Sequence, residues 1–284
     1  MSNEGVPPLI VIQDVQDKYL ELLKRILTRS GFESYSLVRS PCWGPRPSLR
    51  GRVRDALFAL IEKRGFLIVE RVSVEVRGRG GDWPSDAETM VGMERLNNLQ
   101  YCVETVLQDS VEGDLIETGA WRGGASIFMR GILAAHGVAD RVVWVADSFQ
   151  GLPAPDGSYP ADANSLFHTQ RHLEVSESQV RDNFARYGLM DEQVRFLVGW
   201  FKDTLPVAPI ETLAVVRLDG DMYESTMQAL DSLYPKLSSG GFLIVDDYAI
   251  PHCRQAIDDY RRDHAITDEV VRIDEESAYW RKSK

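Results

Sequence analysis

The sequence predicts an α/β chain built on an open, mostly parallel, twisted sheet with helices on both faces. Two observations carry this. First, short apolar runs stop abruptly at acids: residues 213–226 read LAVVRLDGDMYEST and residues 240–248 read GGFLIVDDY. Such runs, bounded by glycine and carboxylate, read as buried parallel strands. Second, a helix-like segment from Tyr223 to Leu237 lies between them, with Gly240-Gly241 as its stop. A strand–helix–strand crossover is right-handed, so both strand ends emerge at one edge of the sheet. That edge is where open α/β sheets bind ligands.

The totals narrow the field. A chain of 284 residues suits one large domain or a domain with an appendage. Hydrophobic content of 44% and charged content of 26% are ordinary for a globular chain. A net charge of −11 argues against a nucleic-acid binder. No apolar run approaches the ~20 residues that span a bilayer, and no signal-peptide pattern opens the chain. Cys42, Cys102 and Cys253 fit neither a zinc pattern nor a disulfide framework. The expectation is a cytoplasmic protein without membrane or nucleic-acid partners.

Residues 1–84 form a weakly patterned extension. Val15, Tyr19, Leu22, Leu23 and Ile26 make a helical stripe, and Pro41 to Pro47 breaks the chain. A helix-and-strand patch over 53–75 precedes a glycine-rich loop at 77–81. The extension suits a lid, a subunit contact or a cover for one sheet face. From residue 85 to 284 the pattern becomes one domain. Ser85 and Glu88 have the spacing of a capping box opening a helix to Leu107. A strand at 114–119 runs into the turn Ala120-Trp-Arg-Gly-Gly-Ala-Ser126 and an apolar helix. Strand, glycine turn and helix let a ligand approach backbone amides, although the spacing is not G-x-G-x-x-G. The next strand, 142–146, ends at Asp147, 23 residues past Gly124 and placed for ribose hydroxyls; a helix cap is the plainer alternative.

A long insertion, 149–176, carries three prolines, His168 and His172, and reads as a substrate loop whose histidines face solvent or substrate. A helix (177–187) and a strand (194–198) lead to Gly199-Trp200, with Trp200 suited to adenine stacking or to the core. A helix (253–263) and a last strand, 269–273 onward to Trp280, close the sheet.

Asp219, Asp221, Asp246 and Asp247 gather at one sheet edge. Crowded carboxylates repel one another unless a cation sits among them, and oxygen ligands suit Mg²⁺, Ca²⁺ or Mn²⁺. Asp-Gly-Asp alone is a common turn, and Asp-Asp a common cap; the pairing one crossover apart favours a metal site.

With these residues laid out, 85–281 resembles the macrocin O-methyltransferase (TylF-type) family, whose members methylate sugar hydroxyls of glycosylated natural products. The resemblance rests on IETGAWRGGASIFM, WVADSFQGLP, FLVGWFKDTLP, RLDGDMYEST and GGFLIVDDY, in that order. It implies a Rossmann-like class I methyltransferase fold, S-adenosylmethionine (SAM) as cofactor, Mg²⁺ or another divalent cation, a small glycoside substrate and a homodimer or larger assembly. By position, Glu117, Thr118, Gly119, Gly123 and Ser126 would cradle the amino-acid end of SAM, flanked by Thr89 and Met90. Asp147 and Ser148 would hold the ribose, with Gly199 and Trp200 near the adenine. Asp219, Asp246 and Asp247 match the metal ligands, with Asp219 also on the cofactor side, and Asp221 matches the general base. His252 has no assigned role.

Such a site makes chemical sense. A neutral sugar hydroxyl is a poor nucleophile; a dication chelating neighbouring hydroxyls and a carboxylate within reach of the proton would both assist it. Other classes fit less well. A haloacid-dehalogenase-type phosphatase places its Asp-x-Asp on the first strand, whereas only 65 residues follow Asp219. A glycosyltransferase using Asp-x-Asp would not need the second acidic pair or the glycine turn. A nicotinamide oxidoreductase would want Tyr-x-x-x-Lys, but Met227 stands four residues after Tyr223. A methyltransferase acting on a non-glycoside hydroxyl and a non-catalytic SAM-binding module also stand as alternatives.

Overall fold

The computed structural model describes residues 9–38 and 48–283; the expected break at Pro41 to Pro47 lies outside them. Helix α1 (Leu9–Thr28), strand β1 (Tyr35–Leu37), helix α2 (Leu49–Glu62), strand β2 (Val69–Arg71) and helix α3 (Val74–Arg79) make up the front portion. The domain that follows comprises α4 (Met93–Gln108), β3 (Asp114–Thr118), α5 (Gly124–Ala135), β4 (Val143–Asp147), α6 (Glu177–Arg186), β5 (Val194–Val198), α7 (Phe201–Thr204), β6 (Leu213–Leu218), α8 (Tyr223–Leu233), β7 (Leu237–Val245), α9 (Pro251–Asp263), β8 (Val271–Arg272) and β9 (Ala278–Arg281).

The main sheet has the order β5-β4-β3-β6-β7-β9-β8. Its first five strands are parallel, and the closing β8–β9 hairpin is antiparallel. Strand period divides the apolar side chains between two faces. Leu115, Val143, Val145, Val215 and Ile244 face a core shared with α1, α4, α5 and α6. Ile116, Trp144, Ala146, Val216 and Leu243 face one shared with α8 and α9. Sequence order reverses direction at β3, with β4 on one side and β6 on the other, so the C-terminal ends of β3 and β6 flank the crevice expected of a switch point.

Four expectations need correction. No helix opens at Ser85. Its hydroxyl donates to the Tyr35 carbonyl (3.0 Å), its N–H does the same (2.9 Å), and α4 starts only at Met93 behind Gly92. The segment was already paired to β1 and unavailable for a cap. Residues 77–81 are not an open loop: Ser73 caps α3, and Gly80 ends it with φ 72. Gly240-Gly241 does not stop a helix. Helix α8 ends at Leu233, and the glycines form an irregularity inside β7, where Leu213 pairs Leu237 but Val215 pairs Phe242. The last strand is a hairpin of two short strands, not one run.

Helix α1 covers the sheet face beside α5. Leu20, Leu23 and Leu27 are buried in that core, and Leu23 lies over Gly131, where a Cβ would collide with it. Helix α2 instead leaves Leu49, Val53, Leu57 and Leu60 exposed on one side. No helix among the described residues is long and apolar enough to cross a membrane.

Candidate active site

The chain's two best-formed site turns both carry backbone strain. Trp121 (φ 48) follows β3 and Asp221 (φ 59) follows β6; neither is glycine, yet both occupy the left-handed region. Such outliers persist only where the surroundings fix them. At the β3 turn the fixing group is Asp147, at the tip of β4. One carboxylate oxygen accepts the N–H groups of Ala120 (2.7 Å) and Trp121 (3.3 Å), and the other accepts that of Phe149 (2.7 Å). Burial pushes the Asp147 carboxyl above its usual range, opposed by these amides. Gly119 (φ 88) lies directly against the Asp219 carbonyl, and any Cβ there would overlap it.

At the second turn, the Asp221 N–H donates to Asp247 Oδ2 (3.0 Å). One oxygen atom from each of Asp219, Asp246 and Asp247 lies within 4.8 Å of the others. Two arginines meet this cluster. Arg217, inside β6 and 2% exposed, pairs with Glu117 (2.5 Å), Asp219 (2.7 Å) and Asp246 (2.5 Å). Arg95, from α4, pairs with the other Asp246 oxygen (2.8 Å) and with Asp274 and Glu276 (2.6 Å each). Asp246 is thereby held below the usual carboxylate range: burial would raise it, but Arg217 and then Arg95 outweigh burial. Its neighbours go the other way. Burial raises Asp219 to about 6, against the pull of Arg217. Burial, then Asp219 and Asp246, raise Asp221 to about 8. Asp247 is raised by burial and then by Asp221, Asp219 and Asp246. Glu117, fully buried and accepting the Ser126 hydroxyl, rises to about 7 through burial, opposed by Arg217. The arginines hold Asp246 from both sides and Arg217 also pairs with Asp219, while no arginine among the described residues lowers Asp221 or Asp247; this carboxylate donor set fits a hard dication.

Two cavities open beside these turns. Gly119, Asp147, Ser148, Trp200 and Lys202 line the first. Trp83, Thr89, Glu117, Phe167, Asp246 and Asp247 line the second. Met90, Trp121, Leu173, Asp219 and Asp221 belong to both walls, so the two meet at the carboxylates.

Among residues expected from the sequence, Thr118, Gly123, Ser126 and Gly199 line neither cavity. Thr118 bonds the Arg217 carbonyl (3.4 Å), Ser126 supports Glu117, and Gly123 packs against Val180 and Phe184. They shape the turns from behind. Ser148 bonds the Gly151 carbonyl (2.7 Å). His168 is exposed. His172 packs against Trp83 with ring centroids 4.3 Å apart, and His252 bonds the Asp221 backbone. Sequence reasoning missed Arg95 and Arg217. A lone arginine inside the apolar run LAVVRL was the available signal, because a buried guanidinium requires carboxylate partners.

The family model for macrocin O-methyltransferase (TylF) matches residues 16–282. The chain belongs to the TylF family. The match reaches back to residue 16, well before the motifs that carry the resemblance in the sequence, and takes in most of α1. A mycinamicin III 3''-O-methyltransferase of Micromonospora griseorubida is 57% identical over 76% of this chain and 87% of its own length. A demethyldecarbamoylnovobiocin O-methyltransferase of Streptomyces niveus is 56% identical over 74% and 81%. A tetracenomycin-C rhamnosyl 4'-O-methyltransferase of Streptomyces olivaceus is 50% identical over 95% and 94%. The solved O-methyltransferase NovP superposes with a TM-score of 0.81 at 47% identity, over 95% of this chain and all of that one. This TylF family member is thus an O-methyltransferase with the class I methyltransferase fold.

Proposed function

We propose that this enzyme transfers the methyl group of SAM to a sugar hydroxyl of a glycosylated natural product, with Mg²⁺ or another divalent cation at Asp219, Asp246 and Asp247. The observation that carries the reading is the junction of the two cavities at Asp219 and Asp221. A cofactor beside Asp147 and Trp200, reaching through this junction toward Thr89 and Glu117, would meet there an acceptor beside Asp246 and Asp247. The named substrates of the relatives, a mycinamicin, a novobiocin precursor and a rhamnosylated tetracenomycin, support a glycoside acceptor.

When bound, SAM supplies an electrophilic methyl group and the dication supplies Lewis acidity toward the acceptor hydroxyl. The remaining work falls to the chain. Asp147 fixes the Ala120–Trp121 turn, so the first cavity keeps its shape before any ligand arrives. Arg217 and Arg95 hold Asp246 from opposite sides, which preforms one metal ligand. Asp221, locked by its N–H to Asp247, would accept the proton of the acceptor hydroxyl.

The test is calorimetric titration of chelator-stripped protein with SAM, with and without Mg²⁺, followed by methyl transfer to demethyldecarbamoylnovobiocin and mycinamicin III. Micromolar binding and Mg²⁺-dependent methylation are expected. Absence of SAM binding sinks the donor assignment, and turnover unaffected by chelator sinks the metal.

A further inference from the structure

One wall of the second cavity is not supplied by the methyltransferase sheet. It comes from residues 80–83, which belong to the front portion of the chain. Their backbone is fixed with unusual completeness. The Trp83 N–H donates to the Ser36 hydroxyl (3.1 Å), and the Trp83 carbonyl accepts from the Leu37 N–H (2.7 Å) and the same hydroxyl (3.3 Å). Residues 83–85 therefore run alongside β1, with an isolated antiparallel bridge between Ser36 and Pro84. Just before them, Asp82 pairs with Arg77 (2.7 Å), both side chains being at most 5% exposed. Beneath this anchorage the Trp83 ring stays half-buried, lining the cavity.

The ring has a second support. It packs against His172 of the long insertion, the rings tilted by 36° with centroids 4.3 Å apart. The His172 carbonyl in turn accepts the indole N–H of Trp121 (2.9 Å), in the turn after β3. Front portion, insertion and the turn after β3 are thus joined through His172, and the two indoles it links, Trp83 and Trp121, line the cavity that holds the carboxylate cluster.

A cavity with carboxylates on one wall and an indole on another matches the two chemistries of a pyranose. Hydroxyl edges suit charge and metal; ring faces, which are C–H surfaces, suit a flat aromatic. We propose that Trp83 is an acceptor-recognition residue: its indole packs against the C–H face of the sugar whose hydroxyl is presented to Asp221. This rests on the sugar O-methyltransferase reading above, and makes the front portion a determinant of which sugar is accepted.

The test uses full-length W83A and W83F with demethyldecarbamoylnovobiocin and mycinamicin III as acceptors. For W83A, the acceptor KM should rise about tenfold, the scale of one lost aromatic contact. Turnover number should stay within about threefold, since the group touches no reacting atom. SAM affinity by calorimetry should be unchanged, and W83F should recover most of the loss. An unchanged acceptor KM in W83A overturns the proposal. So does W83F as impaired as W83A with SAM affinity also lowered, which would make the ring a structural prop. If wild-type enzyme binds SAM but methylates neither glycoside, the acceptor class falls and the proposal with it, a failure visible before any variant is compared.

Discussion

Asp162 caps the helix that begins at Tyr223: its carboxylate accepts the Tyr223 N–H at 2.8 Å from 61 residues earlier in the chain. Its other oxygen accepts the Glu224 N–H (2.9 Å), and the residue is fully buried. The long insertion is therefore pinned to the start of α8, two residues after Asp221. Asp162→Ala should remove a cap worth about 1–2 kcal/mol and loosen the Asp221 turn. A lowered melting temperature together with lowered turnover is expected, with Asp162→Asn intermediate because it keeps an acceptor oxygen. Unchanged turnover would show that the pin serves only the fold.

Asp221→Asn removes the proton acceptor and keeps the shape. Turnover should fall by about 10²–10⁴, the usual contribution of a positioned base. SAM affinity should hold. Retained turnover would remove Asp221 from the mechanism.

Asp247 is crowded by Asp219, Asp221 and Asp246. In chelator-treated protein, Asp247→Asn should raise the melting temperature slightly by relieving that repulsion, while abolishing the stabilisation that Mg²⁺ is expected to give the wild type by mass action. A drop of several degrees without metal would contradict this picture of the cluster.

Arg217 is the opposite case. Replacing it by Met strands Glu117 and one oxygen of Asp246 in the interior, where an unpaired charge costs about 3–5 kcal/mol. Chemical denaturation should show a loss of that size, with Arg217→Lys intermediate. A near-neutral Arg217→Met would mean that the carboxylates are satisfied without it.

Acid sensitivity has a separate source away from the site. The hydrogen bond from Arg130 holds the Asp191 carboxyl below its usual range. A depressed folded value stabilises the protein above the unfolded value of about 3.9 and is lost as pH falls through the folded one. Asp191 is 42% exposed, so solvent screening limits the effect to less than about 1 kcal/mol. Asp191→Asn should lower stability at pH 7 by that small amount and flatten the acid limb of a stability–pH curve. Parallel curves would refute the assignment.

The parallel strands and their acidic ends were readable because the information is local: an apolar run, then an acid, within ten residues. The gathering of Asp219 with Asp246 and Asp247 followed from crossover handedness alone. What escaped the sequence was non-local. Ser85 looks like a cap until Tyr35, 50 residues earlier, takes its hydroxyl. Arg95 reads as an ordinary surface residue of an amphipathic helix until Asp246 and the β8–β9 hairpin close around it. Gly240-Gly241 reads as a helix stop because a bulge inside a strand has the same composition. Thr118, Gly123 and Ser126 lie behind the turns and line neither cavity, a placement that residue type does not encode.

Gly119 and Asp219 touch, with no room between them for even one methyl group. The wall of the cavity proposed for the cofactor is therefore also the backbone of the turn proposed to hold the cation. If occupying either site shifts that contact, the other site feels it, and equilibrium reciprocity requires the two affinities to change by the same factor. On the proposed reading, cofactor and cation are coupled across a single peptide group, and a substitution that moves the Gly119–Asp219 contact will register as altered binding at both.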